Sequence, residues 1–343
     1  MNNKWIVTVK NICIIIIAGI IFAGGMSNYA EAKKADIKRT KINIPMSYHA
    51  FYMQTDNDNN IVLYNYEDDG YNAQTDENYF HIYTYKYDKN LSPADTAEPL
   101  ECHDNEINNV VNLDSGRVLV CSRNDKESVY KFTVYENGKP VSVVSEKIKN
   151  KNYKVGDIRV KGDKMYYVCG YVNKKNANLF LKCININNGK QVKKVKLNEI
   201  KDCYIVQMHK QRIYAIDENY TTITAYSFGG KKVAAYKLPK LKKFISIGDN
   251  GYTRRELVRF KDNYIYYSNG KDGIYRCNIK GNKKKFSKLF DLRKDVLFNS
   301  RSKLMYDYCV KDKNTFYVRF MEEEPVICAD DGNPSLLVKY KVN

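Results

Sequence analysis

The sequence predicts an all-β fold, a six-bladed β-propeller whose ring is closed by an N-terminal strand, and three observations predict it. A unit of about fifty residues recurs six times. Each copy reads as a set of short strands separated by polar turns. The last copy is one strand short, while a matching strand lies near the other terminus. Repetition at this period marks a radial architecture in which each unit buries its faces against its neighbours.

The most regular element is an apolar run: Ile61–Tyr64, Val118–Cys121, Met165–Val168, Ile213–Ile216, Ile265–Ser268 and Phe316–Arg319. These runs are nearly continuous rather than alternating, and rich in Tyr, Val and Ile. That pattern fits strands buried on both faces, as in a sheet sandwiched between two others. A second run follows each: Phe80–Tyr87, Val129–Tyr135, Leu179–Ile186, Thr222–Phe228, Gly273–Ile279 and Leu336–Val342. Polar, alternating third runs at Lys139–Ile148, Gln191–Leu197, Lys231–Leu238 and Lys283–Phe290 read as outer, half-exposed strands. An inner strand precedes each apolar run, as at Val155–Lys161, Cys203–His209 and Leu304–Val310. The sixth copy ends with its second run. Ile37–Ile44, alternating and Lys-rich like the outer strands, is expected to complete it and remove an open sheet edge.

The segments Ile265-Tyr266-Tyr267-Ser268-Asn269 and Ile213-Tyr214-Ala215-Ile216-Asp217 resemble the YWTD repeat of six-bladed propellers of the low-density-lipoprotein-receptor type, which has a bacterial relative in clostridial secreted proteins. Ile274–Gly281 resembles that repeat's later strand and turn. The family's first Tyr is matched at Tyr166, Tyr214, Tyr266 and Tyr317. Its Trp is matched nowhere, and its Asp only by Asp217. The resemblance implies the propeller fold and a binding role, with no catalytic residue to carry across.

Residues 1–32 read as a signal peptide: Lys4 and Lys10 precede an uncharged, Ile-dominated stretch, and Ala30-Glu31-Ala32 offers a cleavage site. An uncleaved anchor is the alternative. Either way residues 33–343 are expected to be one exported propeller domain, secreted or wall-associated, monomeric, with no membrane span after cleavage. Eight Cys follow the leader. Cys183 and Cys277 read as the same repeat position in two blades, so they should not meet, and buried free thiols are the favoured reading over disulfides.

The formal charge of +18 is unevenly spread: residues 46–110 carry −11, residues 111–343 carry +24. In a propeller, the loops from the second to the third strand of a blade, here from each apolar run to the run that follows it, and those from blade to blade leave on one face. There, blades one and six contribute Glu67-Asp68-Asp69, Asp76-Glu77, Glu322-Glu323-Glu324 and Asp330-Asp331, and the opposite arc contributes basic loops. Lys174, Lys175, Lys240, Lys242, Lys243, Arg254 and Arg255 are the candidate binding residues of that arc, for an extracellular protein or an anionic cell-wall polymer. Nucleic acid is not an expected partner, because the chain reads as exported and holds no recognised module.

Catalytic and metal motifs are sparse. The chain has no GxSxG, HExxH or P-loop, and its four His are far apart in sequence. Asp56, Asp58, Asn60 and Glu67 match some positions of a Ca loop, but Ile61 stands where that loop needs Gly, so an ordinary polar turn is expected and no metal or cofactor. Tyr71, Tyr79 and Tyr252 are candidates for stacking on a sugar or peptide. The leading reading is a binding module. The alternative is an enzyme acting on glycans, its acids assembled at the central channel without a linear motif.

Overall fold

The computed structural model describes residues 37–44, 50–56, 58–74, 77–94, 99–113, 116–149, 152–172, 177–200, 203–217, 219–239, 258–268, 273–281, 284–292, 303–322 and 335–342. They form 24 strands in six four-stranded antiparallel sheets. β1 (Ile37–Ile44) stands apart at the start. Blade one is β2 (Ala50–Thr55), β3 (Ile61–Asn72), β4 (Glu77–Tyr87) and β5 (Leu100–Asp104). Blade two is β6 (Glu106–Asn112), β7 (Val118–Asn124), β8 (Val129–Glu136) and β9 (Lys139–Lys147). Blade three is β10 (Tyr153–Lys161), β11 (Lys164–Val172), β12 (Ala177–Asn185) and β13 (Gln191–Lys196). Blade four is β14 (Cys203–His209), β15 (Arg212–Asp217), β16 (Thr222–Ser227) and β17 (Lys232–Lys237). Blade five is β18 (Val258–Lys261), β19 (Tyr264–Ser268), β20 (Ile274–Asn278) and β21 (Ser287–Phe290). Blade six is β22 (Lys303–Asp312), β23 (Thr315–Glu322) and β24 (Ser335–Val342).

β1 supplies the missing fourth strand. It pairs antiparallel with β24 from Ile37↔Val342 to Ile44↔Ser335, so one blade is built from both ends of the chain. The ring is therefore a six-bladed propeller with the closure expected from the sequence. The first strand of each blade is the innermost: β2 touches β6 and β22, β10 touches β6 and β14, and β18 touches β22. The second strands are sandwiched, as their continuous apolar runs demand; β15 and β19 are buried at nearly every position. The outer strands β9, β13 and β17 are mostly exposed.

The core lies between blades. Leu119, Cys121 and Phe132 of blade two pack on Tyr153, Met165 and Tyr167 of blade three. Val168, Leu179 and Leu181 of blade three pack on Met208, Ile213 and Tyr226 of blade four. Aromatic pairs bridge the boundaries: Phe132–Tyr167 with centroids 4.9 Å apart, Tyr166–Phe228 at 5.5 Å, Tyr214–Phe260 at 4.5 Å and Phe290–Tyr340 at 5.1 Å. Each such pair adds about 0.5–1.5 kcal/mol beyond its buried area. This accounts for the abundance of Tyr: nine of the largest fully buried side chains are Tyr. The family-like Tyr214, Tyr266 and Tyr317 are among the buried tyrosines, whereas Tyr166 is half-buried.

Inner strands carry a recurring irregularity. Five of them bulge against their second strand, at Ala50/Tyr52, Ile107/Asn109, Val155/Ile158, Cys203/Ile205 and Met305/Asp307. A bulge tightens the local twist and re-aims the next side chain, here beside the ring axis. Gly170, at φ +141°, shows how closely strands approach: a Cβ there would lie 2.1 Å from the carbonyl oxygen of Asn178. Gly170→Ala must displace β12, and the expected cost is roughly 1–3 kcal/mol. A denaturant midpoint equal to the wild type would contradict this.

The cysteines need one correction. Cys183 pairs with Tyr166, but Cys277 pairs with Ile265, one position earlier in the repeat. The two residues therefore project from opposite faces of their blades. Cys102, Cys121, Cys169, Cys183, Cys277 and Cys309 are buried and free. Burial pushes the Cys102 thiol up to about 12 and the Cys169 thiol to about 11, so both are protonated and inert at neutral pH.

Candidate interaction surface

The first layer of the candidate surface is the wall of the central channel, built by side chains that reach from one inner strand to the next. Gln54, Arg159 and Arg259 occupy equivalent positions, opposite Val62, Tyr166 and Tyr266 of their second strands. The amide Nε2 of Gln54 donates to the carbonyl of Val110 at 2.6 Å, Arg159 Nε to that of Met208 at 3.0 Å and Arg259 Nε to that of Tyr308 at 2.9 Å. Each time the acceptor lies in the following blade. Backbone amides are tied the same way: Met208 N–H donates to Asp157 at 2.6 Å and Met53 N–H to Asp307 at 3.3 Å.

Asp157 and Asp307 precede the Arg159 and Cys309 positions by two and stand on blades opposite each other in the ring. Neither is set up as an acid or base. Asp157 also accepts from Arg159 Nε at 3.1 Å. Asp307 accepts from Arg259 Nη2 at 2.5 Å and from the Tyr308 amide. Burial raises the Asp307 carboxyl above its ordinary value, and Arg259 and Arg319 offset only part of that. Both carboxylates are engaged in holding neighbouring blades together.

The outer strands make a second set of joints. Asp104, buried on β5, accepts from Ser122 and, at 2.9 Å, from Asn124, and pairs with Lys131 at 3.2 Å, all in blade two. Glu146, buried on β9, takes Lys182 Nζ at 2.6 Å together with the hydroxyls of Tyr153 at 2.6 Å and Tyr167 at 2.8 Å in blade three. Burial pushes the Glu146 carboxyl up, but the hydrogen bonds from Lys182, Tyr153 and Tyr167 outweigh it and hold it below its ordinary value. From blade three onward the pattern changes. β13, β17, β21 and β1 contain Lys or Arg and no acid.

The seven predicted binding residues, Lys174, Lys175, Lys240, Lys242, Lys243, Arg254 and Arg255, lie outside the described residues, in the connections β11–β12 and β17–β18. Antiparallel strand order sends those two connections out at the same end of the sheets. Tyr252 and His49 also lie outside. Tyr71 is exposed, whereas Tyr79 accepts from Asn72 at 3.1 Å and meets His103 edge-on at 4.5 Å. His81 faces Glu101 at 3.8 Å. His209 stacks on Phe260 at 5.1 Å, with Nε2 2.8 Å from the Asp262 carbonyl, and burial lowers its pKa. The described histidines thus sit in packing contacts between strands or blades. Asp56 closes a polar turn, accepting from the Asn60 amide at 2.8 Å and pairing with Lys86 at 3.0 Å, while Ile61 opens β3. Among the described residues no group of three His, Cys, Asp or Glu could hold a metal ion.

Sequence reasoning missed two groups. The inner-strand Gln54, Arg159 and Arg259 carried no signal except their shared place before the turn. The acid-free outer strands were visible as Lys-rich runs, but their continuity around the rim needed the ring.

No protein-family model matches this chain, and no curated protein matches it. Among solved structures, BamB from Moraxella catarrhalis is similar, with a TM-score of 0.41 and 9% identity over 89% of this chain and 99% of that one.

Proposed function

We propose that this chain is an interaction module exported to the cell surface or the extracellular space, binding a charged protein or wall polymer through the loop face of its propeller. The kinship to the YWTD-type propellers belongs to the same reading and rests on Tyr166, Tyr214, Tyr266, Tyr317 and Asp217. The observation that carries the proposal is the segregation of charge by blade, −11 over residues 46–110 against +24 over residues 111–343. The pairing of β1 with β24 closes the ring, which makes blade six the neighbour of acidic blade one. Acidic loops then share one sector and basic loops the opposite arc. Such a field orients and recruits a charged partner more than it tightens the final contact.

The second reading, a glycan-cleaving enzyme, calls for two accessible carboxylates across a channel. Asp157 and Asp307 do not offer that pair, since each is bound to an Arg and to the backbone of the next blade. The test is capture of secreted proteins and wall polymers on the immobilised chain at two ionic strengths. Partner binding is expected to fall sharply between about 50 and 300 mM salt, as contacts between exposed charges do. It is also expected to fall when Lys240, Lys242 and Lys243 are each changed to Glu. Capture that survives both changes would refute the proposal.

A further inference from the structure

We propose that the outer rim of blades three to six is a track for a linear, phosphate-bearing polyanion. This extends the interaction-module reading but places the polymer on a different surface from the loop face. At the blade one–two and two–three boundaries an outer-strand acid turns inward and meets a Lys of the next blade, Asp104 with Lys131 and Glu146 with Lys182. Beyond them the outer strands hold no acid at all. Lys193, Lys196 and Lys237 are exposed and form no ion pair among the described residues. Lys194 lies over Phe180 at 4.7 Å and forms no ion pair among the described residues. Lys288 is paired with Asp291 at 3.3 Å. Glu199 approaches this rim, accepting the backbone amide of Lys232 at 2.8 Å.

A second observation is independent of composition. An isolated parallel bridge joins Lys237 of blade four to Lys285 of blade five, both exposed. Facing like charges on paired strands is unfavourable. Next to them Lys284 sits 5.4 Å from the centre of the buried Tyr236 ring, adding a third ammonium at the same seam. Among the described residues no acid is paired with Lys237, Lys284 or Lys285, and an anionic ligand would supply that counter-charge.

The chemistry of the rim selects the ligand class. Apart from Arg39 of β1, the basic groups of its outer strands are lysine ammoniums, which suit phosphate without demanding planar geometry. Protein interfaces favour exposed aromatics and Arg, and here the large exposed apolar groups are Val192 and Val233. The surface is convex, successive blades turning by about 60°. A flat membrane can meet one or two blades, whereas a flexible chain can follow several. Alternate residues of an outer strand, such as Lys194 and Lys196, are about 7 Å apart along the strand, a spacing within reach of successive phosphodiesters.

The test uses the full chain and poly(glycerol phosphate) of graded length. Affinity is expected to rise with chain length until the polymer spans several blades. The variant Lys193→Gln/Lys196→Gln/Lys237→Gln/Lys285→Gln should keep the wild-type melting curve and bind at least tenfold more weakly. Its log–log salt slope should be smaller by ~3, at roughly 0.7–0.9 per lost contact. The loop-face variant Lys240→Gln/Lys242→Gln/Lys243→Gln should bind the polymer as the wild type does, while losing the partner captured through the loop face. The rim proposal is overturned if the rim variant binds the polymer normally. It is equally overturned if anionic phospholipid vesicles or poly-glutamate bind as tightly, with the same dependence on the rim lysines.

Discussion

Removing β1, residues Ile37–Ile44, is expected to destroy the native ring as a stable monomer. The deletion strips eight paired positions from β24 and bares a strand whose Leu336, Leu337, Val338, Tyr340 and Val342 are buried in the intact protein. Each lost hydrogen bond costs about 0.5–1.5 kcal/mol net, and whole domains are stable by only about 5–15 kcal/mol. The exposed edge is also a template for pairing with other chains. Thermal unfolding should shift down by tens of degrees, with light scattering showing association. A synthetic peptide of the β1 sequence, added in excess during refolding, should restore part of the loss. A truncated chain melting within about 2 °C of the wild type would show that closure contributes little.

The second large effect is expected at Glu146. Changing it to Ala leaves the Lys182 ammonium buried beside two tyrosine hydroxyls with no counter-charge, and breaking a buried pair in this way costs about 3–5 kcal/mol. The double variant Glu146→Leu/Lys182→Met, which removes both charges, should recover most of that. The pair also sets an acid limit. The folded-state pKa of Glu146 is depressed, so its contribution is whole above the ordinary value of 4.5 and is lost as pH falls toward the lower folded value. Urea unfolding of the wild type and Glu146→Gln at pH 7 and pH 3 measures this. The gap between the two proteins should narrow at the lower pH, and a gap that widens would reverse the sign of the argument.

Much of the ring was legible because its signal is redundant. Six apolar runs at a similar spacing mark the sandwiched strands, and β1 was identifiable because its Lys-rich alternation matches the outer strands. β5 was not anticipated, since Leu100–Asp104 is short and follows a Pro-containing stretch without the Lys pattern of its counterparts. Glu146 reads as one more solvent-facing acid on an exposed strand. Only the neighbouring blade, with Lys182 on β12 and Tyr167 on β11, turns that position into an interior. The register of Cys277 was misread by one position, and a one-residue shift moves a side chain to the other face. The candidate site was the least legible part. Which loops share a face follows from strand order, but the inner-strand contacts of Arg159 and Arg259 depend on how blades abut, which no local pattern encodes.

The side chains of Gln54, Arg159 and Arg259 all reach forward, from one blade to the blade made after it. During synthesis from the N-terminus, then, none of these bonds can form until the following unit exists. The most extreme case is β1, which is made first of all the strands and must wait for β24, the last. Folding of the sixth blade is thus coupled to the far end of the chain, the kind of long-range pairing that slows folding. The Lys38, Arg39 and Lys41 of β1 keep this waiting strand charged while its partner is still to come.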